Sequence, residues 1–140
     1  MLSLERTEPE TMIVPVSVAT AATASGTADL LGYDSATVLV QLDTGATAID
    51  ELDFYEGDTT SAFTAITGLT FGTDTGDVAF PASNTSTAPI VKANIDMRGR
   101  KRYLKVQISP GVTGILGATC LKGRAEETPG QPSHVTEVSV

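Results

Sequence analysis

Residues 90–121 contain three runs in which apolar and polar side chains alternate, separated by two short turn signals. Alternation with a period of two is typical of half-buried β-strands, because successive side chains of a strand point to opposite faces. We therefore predict an antiparallel meander that lies on an apolar layer. Its three buried rows are Val91, Ala93, Ile95 and Met97; Leu104, Val106 and Ile108; and Val112, Leu116, Ala118 and Cys120.

The rest of the 140-residue chain repeats the strand signal in shorter units. Turn residues recur about every 8 to 12 positions, which is typical of β-sandwiches and jelly rolls. The most apolar of these units, residues 36–42, predicts a central strand. Threonine and serine are abundant, and threonine favours pleated, half-exposed surfaces. The fold class we predict is all-β, an antiparallel β-sandwich or jelly-roll-like domain.

The distribution of apolar residues divides the predicted chain into three regions. Residues 1–28 are an N-terminal arm with one edge or exchanged strand, Thr11–Val18, because Pro15 cannot donate a ladder hydrogen bond. Residues 29–121 are the β-sandwich body. Residues 122–140 are an extended, polar C-terminal tail with little core of its own.

Catalytic and cofactor motifs are not visible in the sequence. His134 and Cys120 lie far apart without a triad neighbour, so we expect a surface histidine, a buried cysteine and no enzyme activity. The sequence shows no zinc or phosphate-binding pattern, and we expect no cofactor. One cysteine excludes an internal disulfide, no window is apolar enough for a membrane helix, and the acidic N-terminus is unlike a signal peptide. These features favour a protein that is made and kept in a reducing cytoplasm, or assembled there into something larger.

Five carboxylates lie between positions 50 and 58. Calcium prefers several oxygen ligands on one loop, and Asp50, Asp53 and Asp58 are candidates for such a site. Their spacing matches no EF-hand loop, and alternation places Glu51 and Asp53 on the outer face of a strand. A solvated acidic face is the favoured interpretation, with calcium as the alternative.

Charge is unevenly distributed along the chain, whose net charge is −8. Residues 1–91 carry thirteen acids and one base, whereas residues 92–124 carry eight bases and one acid. Four of the bases lie within residues 98–102, where they repel one another unless an anion or an acidic protein surface meets them. The candidate partner contacts are Arg98, Arg100, Lys101 and Arg102, joined on the predicted edge strand by Ile13, Val14 and Val16.

A solvated hairpin tip is the alternative explanation of the four bases at 98–102. Nucleic acid is a disfavoured partner, because the rest of the chain is acidic and aromatic residues for base stacking are sparse.

Four segments resemble the small virion structural proteins of tailed bacteriophages. They read DLLGYDSATVLVQLDTG, ELDFYEGDTTSAFTAITG, VKANIDMRGRKRYLKVQISPG and GILGATCL. In that group a β-sandwich carries the pattern D-hydrophobic-x-G-R-x-R-Y-hydrophobic-x-V-x-hydrophobic-x-P-G, which residues 96–111 match. The resemblance covers residues 29–121.

The resemblance implies a head decoration, or cement, protein on the capsid exterior of a virion. Its implied partners are the major capsid protein and further copies of itself, commonly as a trimer, with no nucleic acid and no membrane. Another non-catalytic virion protein is the alternative, either a tail or head-tail component or a surface carbohydrate-binding module. Exposed aromatic platforms usually serve sugar binding, and a chain with three tyrosines and no tryptophan makes the cement function the better expectation.

Overall fold

The computed structural model describes residues 7–42, 49–72, 90–123 and 136–139, and these ranges form an all-β fold. The strands are β1 (Thr7–Val18), β2 (Ala24–Asp29), β3 (Ser35–Leu42), β4 (Ile49–Gly57), β5 (Thr64–Gly72), β6 (Ile90–Asp96), β7 (Tyr103–Pro110), β8 (Gly114–Gly123) and β9 (Thr136–Ser139). Sheet A has the order β1-β8-β3-β6-β9, and sheet B has the order β2-β7-β4-β5. Every pairing is antiparallel except that of β6 with β9. The predicted β-sandwich is confirmed.

The hydrophobic core lies between the two sheets. The first two predicted rows are buried, and so are the last three residues of the third. Val112 is the exception, with 42% of its surface exposed, because it lies in the turn that precedes β8. Leu52 and Phe54 of β4 face the same core from sheet B. Alternation therefore predicted correctly which apolar side chains of these strands face the core, although Lys92 and Asp53 on the outward rows are buried as well.

The three runs do not form the predicted meander. Strands β6 and β8 belong to sheet A, where each pairs with β3, whereas β7 lies in sheet B between β2 and β4. The chain thus crosses the core twice between residues 96 and 114. A period of two specifies which side chains are buried, but both sheets bury one face, so it does not specify the sheet. Strand β3 is central in sheet A, as residues 36–42 predicted.

The N-terminal region is part of the sandwich rather than an arm. Strand β1 pairs with β8 from Thr7 opposite Gly123 to Val18 opposite Gly114, and β2 pairs with β7. Met12 and Ile13 are buried in the core. The prediction of an edge strand is correct, since β1 is the outermost strand of sheet A, but the boundary at residue 28 is wrong. A short apolar run such as Thr11–Val18 buries side chains in the core when another strand of the same chain pairs with it.

Two irregularities let β1 close one side of the sandwich. Its register against β8 shifts between Thr11 and Ile13 and again between Ile13 and Val16, so Pro15 lies in an irregular part of the ladder. Such bulges bend an edge strand and increase its twist. The bend brings the backbone of Met12 against Gly26 of β2, where an added Cβ would lie 1.8 Å from the Met12 carbonyl oxygen. Glycine is therefore required at position 26.

The predicted tail also contributes to the sheets. Strand β8 continues through Lys122 to Gly123, and β9 pairs in parallel with β6, with Thr136 opposite Val91. The rest of the predicted tail, residues 124–135 and 140, lies outside the described residues. The body of the fold therefore extends beyond residue 121 and includes a short strand near the C-terminus.

Candidate functional site

The basic turn, residues 98–102, connects the end of β6 to the start of β7 and so passes from sheet A to sheet B. The backbone N–H of Arg100 donates to the carbonyl of Met97 at 3.1 Å. Gly99 has a φ of 78°, which glycine adopts without the steric cost that a Cβ imposes. The turn therefore holds four cations beside the ends of strands from both sheets.

The first and last cations of the basic turn form two-pronged pairs with aspartates. The Arg98 guanidinium donates to the two Asp96 carboxylate oxygens at 3.0 and 2.7 Å. Arg102 donates in the same way to Asp29 at 2.8 and 2.6 Å. The hydrogen bonds from these guanidinium groups lower the pKa of Asp29 and of Asp96 to about 2. Both aspartates consequently stay charged to a lower pH than an ordinary aspartate does.

The two middle cations face acids at the end of β4. Arg100 Nη1 lies 3.6 Å from Glu56 Oε1, and Lys101 Nζ lies 3.9 Å from Asp58 Oδ2. The backbone N–H of Lys101 also donates to Glu56 Oε2 at 3.3 Å. Arg100 is the least exposed of the four, with 25% of its side chain accessible. All four cations of the basic turn thus have a carboxylate partner in the same chain.

Because its four cations already have carboxylate partners, the basic turn does not need the external anion that its charge predicted. The repulsion among its cations is offset by acids from β2, β4 and β6 that the fold brings to the same end of the sandwich. Sequence reasoning missed the pairing because Asp29 is 73 positions from Arg102. A partner contact by the basic turn stays a prediction, but its physical premise was wrong.

Of the three predicted contact residues on β1, one is buried and two are exposed. Ile13 is 6% exposed and belongs to the core, so it is unavailable to a partner. Val14 and Val16 are 69% and 45% exposed. Val112, in the turn before the paired strand β8, and Ile115, near the start of β8, are also exposed. We call Val14, Val16, Val112 and Ile115 the apolar edge.

A groove of about 610 Å³ runs beside the apolar edge on sheet A. Among its lining residues are Ile13 and Pro15 of β1, Leu39 and Gln41 of β3, Ile90 of β6 and Ile115 of β8. Neither residues 11–28 nor residues 106–121 include a charged side chain. The sandwich therefore has a charged end at the basic turn and an uncharged region along residues 11–18 of β1 and 114–121 of β8.

The acidic segment is divided by the fold. Asp53 is buried, at 4% exposure, on the outer face of sheet B, whereas Asp58 faces Lys101. The side chain of Asp50 lies outside the described part of the chain. No group of three or more potential metal ligands is present among the residues that the structure describes. The calcium interpretation therefore gains no support from the described residues.

One polar cluster was not foreseen from the sequence. Lys122 is buried at the end of the core, and its Nζ lies 2.9 Å from Glu10 Oε2 and 3.4 Å from Glu8 Oε1. Tyr33 donates a hydrogen bond to Glu8, and its ring lies 4.9 Å from the Lys122 ammonium. Burial by itself lowers the pKa of Lys122, but the two carboxylates reverse that effect and raise it. The cluster ties β1 to β8 and has no visible chemistry of its own.

Cys120 behaves as a core residue, as expected. It is fully buried, and desolvation raises the pKa of its thiol to about 12. His134 lies outside the described residues. Nowhere in the described ranges is there a helix long and apolar enough to cross a lipid bilayer.

Comparison with known proteins assigns no family to this chain. No protein-family model matches it, and no curated protein matches it at a significant level. A solved structure with some likeness is a family GH115 4-O-methyl-alpha-glucuronidase with specificity for decorated arabinogalactans, at 13% identity and a TM-score of 0.36. The likeness covers 89% of this chain and 17% of that one, and it bears on neither activity nor partner.

Proposed function

We propose that this chain is a non-catalytic structural protein of a tailed-bacteriophage virion that binds the outer surface of the head and bridges capsomers. The resemblance of residues 29–121 to such proteins supports the choice of partner, the major capsid protein. The β-sandwich is compatible with that role but is shared by many unrelated functions. The location of the binding surface is inferred separately, from the exposed side chains of the structure.

We propose that the chain attaches to the head through the apolar edge. The described part of the chain has five large hydrophobic side chains that are exposed, and four of them form this edge. The four lie on β1 and on or just before β8, which pair with each other, and apolar surface concentrated in one region marks interaction sites, whereas isolated exposed hydrophobic residues are ordinary. Because the adjoining segments are uncharged, docking there requires no desolvation of ions.

Attachment through the basic turn is the competing mode. Its arginines already have carboxylate partners, so a capsid carboxylate has to replace an existing pair rather than neutralise a free charge. Exchange of one exposed ion pair for another contributes little net free energy, on the order of 1 kcal/mol or less. The apolar edge is for this reason the better candidate for the main contact.

Self-association of the chain is a further part of the proposal. An unpaired edge strand at Thr11–Val18 would favour a trimer, but β8 of the same chain pairs with β1. The outer side of β1 is interrupted by Pro15 and two bulges, which discourage pairing with a further strand. If trimers form, we propose that they pack through side chains of the apolar edge. Sedimentation of the free protein and of a Val14→Asp variant measures this directly.

Binding to heads that lack this chain tests the proposed function. Purified wild-type protein should saturate such heads, and the double variant Val14→Asp/Val16→Asp should bind at least about tenfold more weakly, which corresponds to about 1.4 kcal/mol. Leu31→Asp is the matched control, because Leu31 is 66% exposed but lies outside the apolar edge. Its occupancy should equal that of the wild type.

Two results would contradict the proposal at different levels. Failure of the wild-type protein to bind heads would remove the decoration function itself. Normal occupancy of the Val14→Asp/Val16→Asp variant, with loss of binding in Arg98→Ala/Arg102→Ala, would assign attachment to the basic turn instead.

A further inference from the structure

The outer face of sheet B carries polar and aromatic side chains on its two central strands, β4 and β7. Tyr55 lies directly opposite Lys105, and Asp53 lies directly opposite Gln107. Opposed residues of an antiparallel pair project from the same face. These four side chains therefore lie together on the outer face, which points away from sheet A.

Phe63 adds a second aromatic ring to this group. Lys105 Nζ lies 5.5 Å from the centre of the Tyr55 ring and 5.3 Å from that of Phe63. Gly57 makes room for the loop that carries Phe63, since an added Cβ would lie 3.0 Å from Phe63 Cδ1 and still closer to the Ala62 carbonyl oxygen. Two rings thus flank one ammonium group. We call Asp53, Tyr55, Phe63, Lys105 and Gln107 the sheet B patch.

Lys105 differs from the other cations described above. The basic turn and Lys122 are paired with carboxylates, whereas Lys105 has no carboxylate within 4 Å among the described residues. Aromatic faces offset part of an ammonium charge and leave its hydrogen-bonding capacity largely unused. A chain with a net charge of −8 therefore presents a cation that a ligand carboxylate can contact.

Asp53, another residue of the sheet B patch, has a carboxylate oxygen without a hydrogen-bond donor. The Tyr55 hydroxyl donates to Asp53 Oδ2 at 3.2 Å, while Asp53 Oδ1 is buried and accepts no hydrogen bond. Burial, with a smaller effect of the Asp53 charge, raises the pKa of Tyr55, so its hydroxyl remains a donor at neutral pH. A buried carboxylate oxygen without a donor is costly, so a ligand that brings a hydroxyl or a bridging water within reach of Oδ1, after a small movement of the Asp53 side chain, is favoured.

We propose that the sheet B patch binds an acidic saccharide, a sugar chain that carries uronic-acid carboxylates. The ligand carboxylate contacts Lys105, the apolar face of a sugar ring packs on the Tyr55 and Phe63 rings, and sugar hydroxyls meet the Asp53 and Gln107 side chains. This combination fits a ligand with isolated negative charges and many hydroxyls. Polyphosphates and nucleic acids fit poorly, because Asp53 and the exposed Glu51 repel closely spaced phosphates.

Titration with defined oligosaccharides tests the proposal, which does not depend on attachment to a phage head. The probe is an oligogalacturonate of about four sugar units, and the neutral control is a galactose oligomer of the same length. Backbone amide shifts in β4 and β7 should follow binding of the acidic probe, with at least about tenfold weaker binding of the neutral one. Lys105→Met, which keeps the apolar stem, should reduce the affinity for the acidic probe to that for the neutral one.

Lys101→Met is the matched control, because it removes one cation that already has a carboxylate partner. Its affinity for the acidic probe should stay within about twofold of the wild type. The amide spectrum of each variant shows whether the fold is intact. No shifts at probe concentrations up to about 10 mM, equal binding of both oligomers, or equal losses in Lys101→Met and Lys105→Met would each overturn the proposal.

Discussion

The closure of the sandwich by β1 is testable at Gly26, where sequence and structure lead to opposite expectations. In Gly26→Ala the new Cβ would lie 1.8 Å from the Met12 carbonyl oxygen and 3.1 Å from Ile13 Cγ1. The two obstacles belong to backbone and to a branched side chain, so β1 has to retreat by more than about 1 Å before ordinary contact is restored. If residues 7–28 were an arm, the same substitution would meet nothing.

The expected cost follows from the side chains that β1 buries. Met12 and Ile13 are 8% and 6% exposed, and burying such a side chain contributes about 1.5–3 kcal/mol. Retreat of β1 forfeits part of both contributions, so Gly26→Ala should lower the free energy of unfolding by about 2–4 kcal/mol. Gly99→Ala is the control, because Gly99 has open space around it and a φ of 78°, for which a Cβ costs about 1–2 kcal/mol.

Equilibrium unfolding in urea measures both variants, and a double-mutant cycle with Met12→Ala shows which contact is lost. Met12→Ala alone should cost about 2–4 kcal/mol, but less than about 1 kcal/mol in the Gly26→Ala background, because β1 has already withdrawn there. A Gly26→Ala variant no less stable than Gly99→Ala would refute the close seating of β1 on β2. Full additivity with Met12→Ala would show that the clash is relieved elsewhere.

Three further predictions follow from the same structure. Limited proteolysis under native conditions should spare residues 7–28, because β1 and β2 are paired with β8 and β7, and rapid removal of this segment would restore the predicted arm. Stability should fall as the pH drops from about 4 to about 2, since Asp29 and Asp96 have a folded-state pKa of about 2 against an ordinary 3.8 and must be protonated. Asp29→Asn should make that fall shallower in acid titrations followed by circular dichroism, and an unchanged titration would argue against the Asp29–Arg102 pair. Cys120 should resist alkylation by iodoacetamide at about pH 8 and react only in urea, whereas reaction of the folded protein would show that β8 opens.

Local periodicity alone determined much of what is buried in this protein. The rows Val91, Ala93 and Ile95, and Leu104, Val106 and Ile108, were predicted from alternation and are buried. The edge position of β1 followed from Pro15, and the central position of β3 followed from its continuous apolar character. Each of these inferences depends on one residue and its near neighbours, because side-chain direction in a strand is a local property.

The candidate sites depended on contacts that no local pattern encodes. Arg102 is paired with Asp29, 73 positions away, and only the fold brings the two together, whereas the Arg98–Asp96 pair is local in sequence. Tyr55, Phe63 and Lys105 share one face because β4 pairs with β7 and the loop after Gly57 turns back. Met12 and Ile13 are neighbours and are both buried, against simple alternation, where a bulge shifts the register of β1.

The physical reason for this division is the range of the interactions. A period of two follows from strand geometry, which each residue carries with it. Sheet membership, ion pairing and strand register depend on which distant segments meet, and two sheets that each bury one face satisfy the same apolar pattern with different partners. Tertiary structure therefore decided that residues 98–102 join two sheets of one chain, with their charges already paired.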